Sequence, residues 1–405
     1  MSRLVMKFGG TSVADLDRIR NVAARVKRET DAGHEVAVVV SAMAGVTNQL
    51  VGWCQSLSPL HDAREYDAVV ATGEQVTAGL TAIALQEIGV DARSWQGWQV
   101  PFATDGAHGK ARIAAIEGAE LIRRMQMGQV PVVTGFQGIG PDNRVTTLGR
   151  GGSDTSAVAL AAALRADRCD IFTDVDGIYT TDPRIVAKAR KLDKIAYEEM
   201  LELASVGAKV LQTRSVEFAM KARVRVQVLS SFEDLPGSLL VDEDEIVEKE
   251  MVSGIAYSRD EAKLTVRRVP DRPGIAAAIF GPLAAAGVNV DMIVQNISAD
   301  GMTDMTFTLG RTDLPRARRV LDDNRGTIGF SELVADADVA KISVVGVGMR
   351  SHAGVANTMF RTLAEKGINI QVISTSEIKV SVLIGAEYTE LAVRALHTAY
   401  GLDAA

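Results

Sequence analysis

The hydrophobic residues of the first 240 positions alternate between short continuous runs and longer stretches with helical spacing. The run of valines and alanine over 35–40 is typical of a strand that is buried on both faces. Between 15 and 31, Ile19, Val22 and Val26 recur at helical intervals. The same patterns predict strands over 4–8, 130–135 and 169–174, and helices over 67–88, 113–127 and 158–164. This alternation predicts an α/β domain built on a mainly parallel sheet.

The last 150 residues contain an internal repeat. The residues Gly274, Ala276, Phe280, Leu283, Ala284, Gly287, Asn289 and Ile293 recur as Gly354, Ala356, Phe360, Leu363, Ala364, Gly367, Asn369 and Ile373. The offset is constant at 354 − 274 = 80 positions, which indicates a duplicated module.

Each copy of the repeat has a β-α-β-β-α pattern. In the first copy we predict strands over 263–269, 288–295 and 303–309, helices over 274–286 and 314–324, and a further strand near 330–334. In the second copy we predict strands over 341–346, 368–374 and 379–384, and helices over 354–366 and 389–400. The second copy lacks a final strand, whereas a spare strand over 251–257 precedes the first copy. Because an uncovered sheet edge is a liability, we expect this spare strand to complete the sheet of the second copy.

The chain of 405 residues is long enough for several domains. We predict a catalytic domain over 1–240, a linker with the spare strand over 241–262, and two repeat domains over 263–335 and 336–405. The acidic run over 242–245 is typical of a solvated linker.

Composition narrows the class of protein. Apolar residues make up 47% and charged residues 23%, as in ordinary globular proteins, and the net charge of −7 argues against nucleic-acid binding. No apolar span of 18 residues is evident, and the first residues do not resemble a signal peptide, so we expect no membrane partner. Two cysteines without CxxC spacing fit a reducing compartment and no zinc site. We therefore expect a cytoplasmic protein.

Five polar or glycine-rich segments follow predicted strands: 7–12, 41–47, 135–138, 149–154 and 173–184. In parallel sheets ligands bind at the carboxyl ends of strands, so these segments predict one site.

The segment over 149–157 leads directly into an apolar helix. Its glycines allow close backbone approach to a ligand, and Asp154, Thr155 or Ser156 is expected to cap the helix. Arg150 adds a forked guanidinium suited to a carboxylate or phosphate. An ordinary strand-to-helix turn is the alternative.

The chemistry that the segments lack is also informative. Neither GxxxxGK[ST] nor GxGxxG after the first strand is present, and the five histidines lie mostly outside the five segments. No general base is therefore evident. A carboxylate nucleophile needs none, because it is ionised at neutral pH, and catalysis of phosphoryl transfer would then consist of positioning and cationic stabilisation.

The segments 7–12, 40–48, 149–157 and 173–179 resemble the signature segments of aspartate kinases, which belong to the amino-acid kinase family. The resemblance implies an amino-acid kinase fold, with a mainly parallel sheet between helices. It implies transfer of the ATP γ-phosphoryl group to the β-carboxylate of L-aspartate, giving 4-phospho-L-aspartate. This reaction opens lysine, threonine, methionine and isoleucine biosynthesis. ATP would carry Mg²⁺, and no metal site on the protein itself is expected.

The resemblance also implies roles for individual residues. Lys7 would stabilise the transferring phosphoryl group and Asp154 would orient the catalytic lysines. Arg150 would bind the α-carboxylate of aspartate and Glu74 its ammonium group. The remaining substrate-site residues would be Ser41, Thr47, Gly151, Gly152 and Ser153. The nucleotide-site residues would be Lys7, Phe8, Gly9, Gly10, Thr173, Asp174, Tyr179, Asp182, Arg184, Lys209 and Val210.

Structural alternatives accompany several of these assignments. Glu74 would also fit a helix-surface carboxylate, Asp176-Gly177 a hairpin turn, and 180–184 a solvated loop. The sequence departs from many relatives at Gln212-Thr213-Arg214, where those carry His-Pro-Arg.

The repeats resemble ferredoxin-like βαββαβ ACT domains, which bind amino acids as regulators. The resemblance implies lysine, threonine or both as inhibitors, and a homo-oligomer formed through the ACT domains. The implied ligand residues are Asp271, Arg272, Pro273, Gly274, Ile275, Ala276, Asn289, Val290, Asp291 and Gln295, with counterparts at Val355, Ala356, Asn369, Ile370, Ser376 and Glu377. The alternative is that the repeats only dimerise the protein. Met251 would allow a shorter regulatory chain from an internal start.

Two other functions fit the same sequence. One is a kinase of the same fold acting on glutamate, acetylglutamate or another small acid. The other is an amino-acid sensor without catalytic activity, which would use only the repeats.

Overall fold

A computed structural model describes residues 2–208, 210–246, 250–297 and 301–403. The described residues divide into two compact units. Unit 1 contains residues up to 178, together with 191–204 and 210–246. Unit 2 contains residues from 250 onward, together with 179–190 and 205–208. Both copies of the repeat thus lie in unit 2, which also includes a loop from the first 240 residues.

The elements up to residue 246 mix strands and helices, and they include the predicted strands over 4–8, 35–40, 130–135 and 169–174. The strands are β1 (Arg3–Phe8), β2 (Glu35–Val40), β3 (Ala92–Trp95), β4 (Phe102–Thr104), β5 (Ile113–Ile116), β6 (Val130–Thr134), β7 (Gln137–Ile139), β8 (Val145–Thr147), β9 (Arg168–Thr173), β10 (Ile178–Tyr179), β11 (Lys191–Leu192), β12 (Lys194–Ala196), β13 (Val226–Ser230) and β14 (Ser238–Val241). The helices are α1 (Leu16–Asp31), α2 (Val46–Leu57), α3 (Ala63–Val70), α4 (Thr72–Glu87), α5 (Ala119–Gln126), α6 (Gly152–Leu164), α7 (Tyr197–Val206) and α8 (Thr213–Ala222).

Unit 1 is organised around an eight-stranded sheet in the order β12-β14-β13-β9-β1-β2-β6-β3. All neighbouring strands are parallel except β13 and β14. Successive side chains of a strand point to opposite faces. Met6 and Phe8 of β1 pack with the buried faces of α1 and α4, while α6 packs against β1 and α8. The sheet is therefore covered by helices, and the fold is the predicted α/β class.

Two helix predictions in unit 1 need correction. Residues 113–116 are a strand, because they pair antiparallel with β4 in a second sheet of order β5-β4-β7-β8. Helix α5 begins only after Gly118, where a Cβ atom would lie 2.9 Å from the carbonyl oxygen of Ala163. The helix predicted over 67–88 begins earlier, at Ala63, and is divided at Ala71 into α3 and α4.

The expectation of no long apolar span was wrong. The helical stretch Ala63–Glu87 is long and apolar enough to cross a membrane by length and composition alone. Half of its most apolar window is buried inside the structure, and Ala78, Ala82 and Leu85 belong to the core beneath the sheet. Core helices pass the same test, so the stretch is weak evidence for a membrane segment.

The acidic run over 242–245, predicted to be a solvated linker, lies within unit 1. Strand β14 ends at Val241, and Glu243–Glu245 form a short 3-10 turn in which Glu245 is paired with Arg225.

Unit 2 contains one six-stranded sheet in the order β16-β17-β15-β18-β20-β19. Its strands are β15 (Gly254–Pro270), β16 (Val290–Ile297), β17 (Met302–Leu309), β18 (Glu332–Val345), β19 (Val372–Thr375) and β20 (Lys379–Gly385). Its helices are α9 (Ile275–Ala285), α10 (Leu314–Asp323), α11 (Arg325–Ile328), α12 (Val355–Glu365) and α13 (Thr389–Ala399). Each copy of the repeat keeps a hydrophobic core of its own.

The spare strand pairs with the second copy, as the strand count predicts. Residues 254–258 lie antiparallel to 341–345, the first strand of that copy. The same strand then continues through Pro270 into the first copy, and β18 likewise serves both copies. The two repeats therefore share two long strands in one sheet.

A buried ion pair joins these shared strands. Lys341 of β18 lies 3.1 Å from Glu261 of β15, and both residues are less than a tenth exposed. Lys341 also lies 2.8 Å from Asp291 of β16. Burial opposes the charge on Lys341, but the neighbouring carboxylates of Glu261 and Asp291 raise its pKa above the ordinary lysine value.

We expect Lys341→Ala to lower the free energy of unfolding by roughly 3 kcal/mol, because Glu261 would remain buried without its cation. Urea denaturation of the full chain measures the change. The matched control is Lys221→Ala, which removes an exposed helical pair with Glu217 and should cost about 0.5 kcal/mol or less. Equal losses in the two variants would contradict a structural role for the buried pair.

Candidate active site

Four of the five predicted segments surround one cavity of about 320 Å³ in unit 1. Its lining residues are Lys7, Gly10, Ser41, Ala42, Met43, Ala44, Gly45, Thr47, Asn48, Glu74, Phe136, Gly149, Arg150, Gly151, Gly152, Ser153 and Asp154. The loops meet because β1, β2 and β6 are parallel neighbours whose carboxyl ends lie at one edge. Backbone hydrogen bonds link the loops, with Ser41 N–H donating to Phe8 and Gly135 N–H donating to Val40.

A buried ion pair forms one wall of the cavity. Lys7 Nζ lies 2.5 Å from Asp154 Oδ1, and the two residues are 7% and 9% exposed. Lys7 alternates with Met6 and Phe8, so it leaves β1 on the side that carries α6. An isolated buried ammonium is costly, and the carboxylate from the first turn of α6 compensates its charge.

The prediction that Asp154, Thr155 or Ser156 caps helix α6 was wrong. The residue before the helix is Gly151, and no side chain accepts a hydrogen bond there. The Asp154 carboxylate pairs with Lys7 instead, and Ser156 Oγ accepts the backbone N–H of Phe136 at 3.0 Å.

The glycines of the 149–154 segment are required by its geometry. Gly149 and Gly151 have φ values of 77° and 71°, a region that favours glycine. A Cβ atom on Gly151 would lie 1.8 Å from Gln212 Cγ, and one on Gly152 would lie 2.9 Å from the Phe136 ring. The start of α6 lines the cavity, an arrangement that favours an anion.

Arg150 and Glu74 supply opposite charges to the cavity wall. Arg150 is exposed and has no ion-pair partner among the residues that the structure describes. Glu74 is 3% exposed, so it is not the helix-surface carboxylate considered as an alternative. Its Oε1 accepts the Ala42 N–H at 3.0 Å, while its Oε2 is buried without a hydrogen-bond partner. Burial raises the pKa of Glu74 to about 7.

The nucleotide-site residues predicted from the sequence are distributed over both units. Lys7 and Gly10 line the cavity, and Gly9 N–H donates to the carbonyl of Phe172. Phe8 is buried in the core, where its ring stacks on that of Phe172 at 4.6 Å.

The other predicted nucleotide residues do not line the cavity. Thr173 ends β9 in unit 1, and its hydroxyl donates to Asp174 at 3.1 Å. Tyr179, Asp182 and Arg184 belong to unit 2. Val210 lies in a turn of unit 1, and Lys209 lies outside the described residues.

Asp182 is engaged on two sides within unit 2. The Arg184 guanidinium donates two hydrogen bonds to it, which lower the pKa of its carboxyl below the ordinary value. The Arg184 backbone N–H donates a third hydrogen bond at 2.9 Å, and the Tyr257 hydroxyl donates a fourth at 3.2 Å.

Sequence reasoning missed several residues of the site. Phe136, Met43 and Asn48 line the cavity but were given no role, although Phe136 lies inside the predicted 135–138 segment. Arg214 was noted only within a departure from relatives. Its guanidinium donates to the carbonyls of Leu148 and Ala111, at 2.6 and 2.9 Å, and so supports the entry to the glycine-rich segment.

A second cavity, of about 470 Å³, lies in unit 2. Its lining residues are Asp271, Arg272, Pro273, Gly274, Ile275, Ala276 and Gln295, all of which belong to the predicted regulatory set. The cavity opens at the start of helix α9, where Gly274 has a φ of 92°.

The remaining regulatory residues of the first copy do not line this cavity. Asn289 is exposed before β16, Val290 packs at the edge of the core, and Asp291 is engaged by Lys341.

The counterparts in the second copy are partly occupied by structural contacts. Val355 is buried, and its carbonyl accepts the Tyr400 hydroxyl at 2.7 Å. Ala356 and Ile370 pack against the core of the second copy, whereas Asn369 is exposed. Ser376 N–H closes a turn onto Lys379, and Glu377 lies 3.5 Å from Arg350.

The raised pKa of Glu74 has a consequence for stability. Between about pH 4.5 and pH 7 the folded state binds more protons than the unfolded state, so this group makes stability fall as pH rises. Glu74→Gln removes the effect and keeps an acceptor for Ala42. We expect the variant to gain stability relative to wild type between pH 5 and pH 8, by about 1–3 kcal/mol. Urea denaturation at each pH measures it, and a constant difference would show that Glu74 titrates normally.

Comparison with known proteins identifies the family. The amino acid kinase family matches residues 2–230, and ACT domain families match residues 264–326 and 342–400. An aspartate kinase of Stutzerimonas stutzeri is 57% identical over 405 residues, which cover 100% of this chain and 98% of that protein. An aspartokinase of Pseudomonas aeruginosa is 56% identical over 406 residues, with the same coverage.

Solved structures are similar over almost the whole chain. Aspartokinase III of Escherichia coli in complex with aspartate and ADP, in the R-state, matches with a TM-score of 0.85 and 28% identity, covering 98% of this chain and 99% of that one. The same enzyme in complex with lysine and aspartate, in the T-state, matches with a TM-score of 0.77 and 29% identity, covering 98% of each chain. With a glycine-framed cavity in unit 1 and paired repeats in unit 2, the chain belongs to the amino acid kinase family, as an aspartate kinase with two ACT domains.

Proposed function

We propose that the cavity of unit 1 transfers the γ-phosphoryl group of ATP to the β-carboxylate of L-aspartate, giving ADP and 4-phospho-L-aspartate. The observation that carries this proposal is the buried Lys7–Asp154 pair in a cavity whose wall also presents Arg150 and Glu74. The cavity offers a cation for a phosphoryl group, and a further cation and an anion for the two ends of an amino acid.

Substrate recognition follows from the two unengaged charges. The Arg150 guanidinium and the backbone at the start of α6, with Gly151, Gly152 and Ser153, bind the α-carboxylate. The free Oε2 of Glu74 accepts the substrate ammonium, with Ser41 and Thr47 at the border of the pocket. A bound ammonium favours the ionised form of Glu74, so it opposes the effect of burial on that pKa.

The chemical step needs no general base. The β-carboxylate of aspartate is ionised at neutral pH and attacks the γ-phosphorus directly. Lys7 stabilises the negative charge of the transferring group, and Asp154 holds the ammonium in place. Mg²⁺ enters with ATP as part of the substrate. The nucleotide is held in unit 1 by Gly9 and Gly10, with Thr173 and Asp174 at the end of β9.

A neighbouring structure contains aspartate and ADP, which supports an aspartate and nucleotide site of this kind. Another contains lysine, which supports regulation by an amino acid. We propose that lysine, threonine or both bind at the ACT domains and inhibit the enzyme by shifting a two-state equilibrium. The protein would act in the cytoplasm as a homo-oligomer joined through its ACT domains, at the first step of lysine, threonine, methionine and isoleucine biosynthesis.

Replacing Lys7 tests the chemical step. We expect Lys7→Met to lower kcat at least about 100-fold, because a preorganised charge is lost from the transition state. Hydroxylamine trapping of the acyl phosphate measures turnover, with aspartate, glutamate and acetylglutamate compared as substrates. Lys27→Met, which removes an exposed lysine paired with Asp31, is the control and should retain full activity. Turnover of another acid in preference to aspartate would overturn the substrate assignment.

Inhibition tests the cavity of unit 2. Gln295→Ala removes a polar wall of this cavity, so we expect about tenfold more lysine or threonine to be needed for half-inhibition, with kcat unchanged. Turnover titrated with each amino acid, and with both together, provides the measurement. Gln227→Ala, which removes a half-buried side chain of unit 1 that donates to the Pro236 carbonyl, is the control. An unchanged inhibition curve for Gln295→Ala would place the regulatory ligand elsewhere.

A further inference from the structure

The phosphoryl-transfer proposal gives no role to Asp67, a buried carboxylate of unit 1. Asp67 of α3 is fully buried and does not line the cavity. Its Oδ1 accepts the Thr147 hydroxyl at 2.5 Å, and its Oδ2 accepts His108 Nδ1 at 2.8 Å. Both oxygens also lie within hydrogen-bond distance of the Gly109 N–H, at 3.1 and 3.0 Å. Burying a carboxylate costs free energy, and these hydrogen bonds offset that cost.

All three partners lie next to the segment that carries Arg150. Thr147 ends β8, two residues before Gly149, and His108 and Gly109 belong to the loop between β4 and β5. That loop is closed at its base by Asp105, which accepts the N–H groups of Ala107 and Arg112. Asp67 therefore connects the loop between β4 and β5 to Thr147, which lies just before the glycine-rich segment.

The two loops also touch each other directly. The N–H of Ala111 donates to the Thr147 carbonyl at 2.9 Å. A Cβ atom on Gly149 would lie 3.1 Å from the Gly109 carbonyl oxygen, so these backbones pack without room for a side chain. Because the position of Gly109 is fixed by Asp67, the position of Gly149 follows from it.

A second side chain, from helix α8, also connects the two loops. Arg214 of α8 donates to the carbonyls of Leu148 and Ala111, one on each loop. The glycine-rich segment needs such supports, because its glycines supply no side chains of their own and Arg150 is exposed. The hydrogen bonds to Thr147 and Leu148 thus fix the backbone just before Arg150 and, with it, the direction of the Arg150 side chain.

We propose that Asp67 is a positioning residue for substrate binding. By holding Thr147 and the loop of His108 and Gly109, it fixes the glycine-rich segment so that Arg150 faces the α-carboxylate of the substrate. This inference rests on the proposed role of Arg150 in binding that carboxylate. It assigns to Asp67 an effect on substrate affinity and selectivity, and none on the Lys7–Asp154 pair.

The test is the kinetics of Asp67→Asn in the full chain. The side-chain amide of Asn carries an N–H₂ donor in place of one carboxylate oxygen that accepts hydrogen bonds. At least one of the hydrogen bonds from Thr147, His108 and Gly109 is therefore lost. We expect KM for aspartate to rise about tenfold, with kcat and KM for ATP changed by less than about twofold, because only carboxylate positioning is affected.

A substrate analogue tests recognition of the α-carboxylate separately from the rest of the substrate. The α-amide of aspartate keeps the ammonium and the β-carboxylate but lacks the charge that Arg150 binds. We expect the preference for aspartate over this amide, measured as the ratio of kcat/KM values, to fall about tenfold in Asp67→Asn. Thr147→Val, which removes one anchor and keeps the carboxylate, should shift the same ratio in the same direction by a smaller factor.

The matched control is Asp170→Asn. Asp170 is also a buried aspartate of unit 1, and its carboxylate is bound by Arg168, away from the cavity. It should leave both KM values and the amide ratio unchanged. A purely structural role for Asp67 would lower kcat by loss of active enzyme at constant KM and constant ratio, and that result would overturn the inference. If Asp67→Asn fails to fold, an unchanged ratio in Thr147→Val would overturn it equally. Wild type that turns over no aspartate would instead refute the proposed function.

Discussion

The ion pair between Lys7 and Asp154 is the interaction on which the active site depends. A lysine inside a strand with helix-covered faces would be unfavourable alone, because its ammonium would lose its hydration. The carboxylate in the first turn of α6 removes this penalty, and it can do so only if α6 begins at one place on the sheet. The pair therefore ties the start of that helix to the end of β1, and the same constraint brings the glycine-rich segment to the cavity.

Around this pair, glycines line part of the cavity. Glycines at 149, 151 and 152 bring the chain close to Gly109, Gln212 and Phe136, at distances that a side chain would not permit. A glycine-rich backbone keeps one conformation only where other residues bind it. Asp67 of α3 and Arg214 of α8 bind the residues just before this segment, and neither lines the cavity. The shape of the cavity thus depends on side chains that do not line it.

The structure of unit 2 depends on a different feature, which is the pair of strands that its two repeats share. Two copies of a duplicated module share β15 and β18, so neither copy has a sheet of its own. The strands β15 and β18 connect the two copies covalently and by hydrogen bonds. The buried Lys341, between Glu261 and Asp291, joins three strands from the two copies at their junction. This arrangement holds the two copies together at their shared strands.

The sequence alone determined the α/β class, the duplication at an offset of 80 residues and most residues around the cavity. These features are local, because periodicity, glycine content and the residues that end a strand can be read along the chain. The capping of α6, the strand at 113–116 and the role of Asp67 depended on the tertiary structure. In each case a partner far along the chain outweighs local preference: Lys7 takes the carboxylate of Asp154, β4 pairs with residues that favour a helix, and Asp67 meets Thr147 and Gly109. Sequence spacing carries no information about such contacts, because they exist only once the sheet has formed.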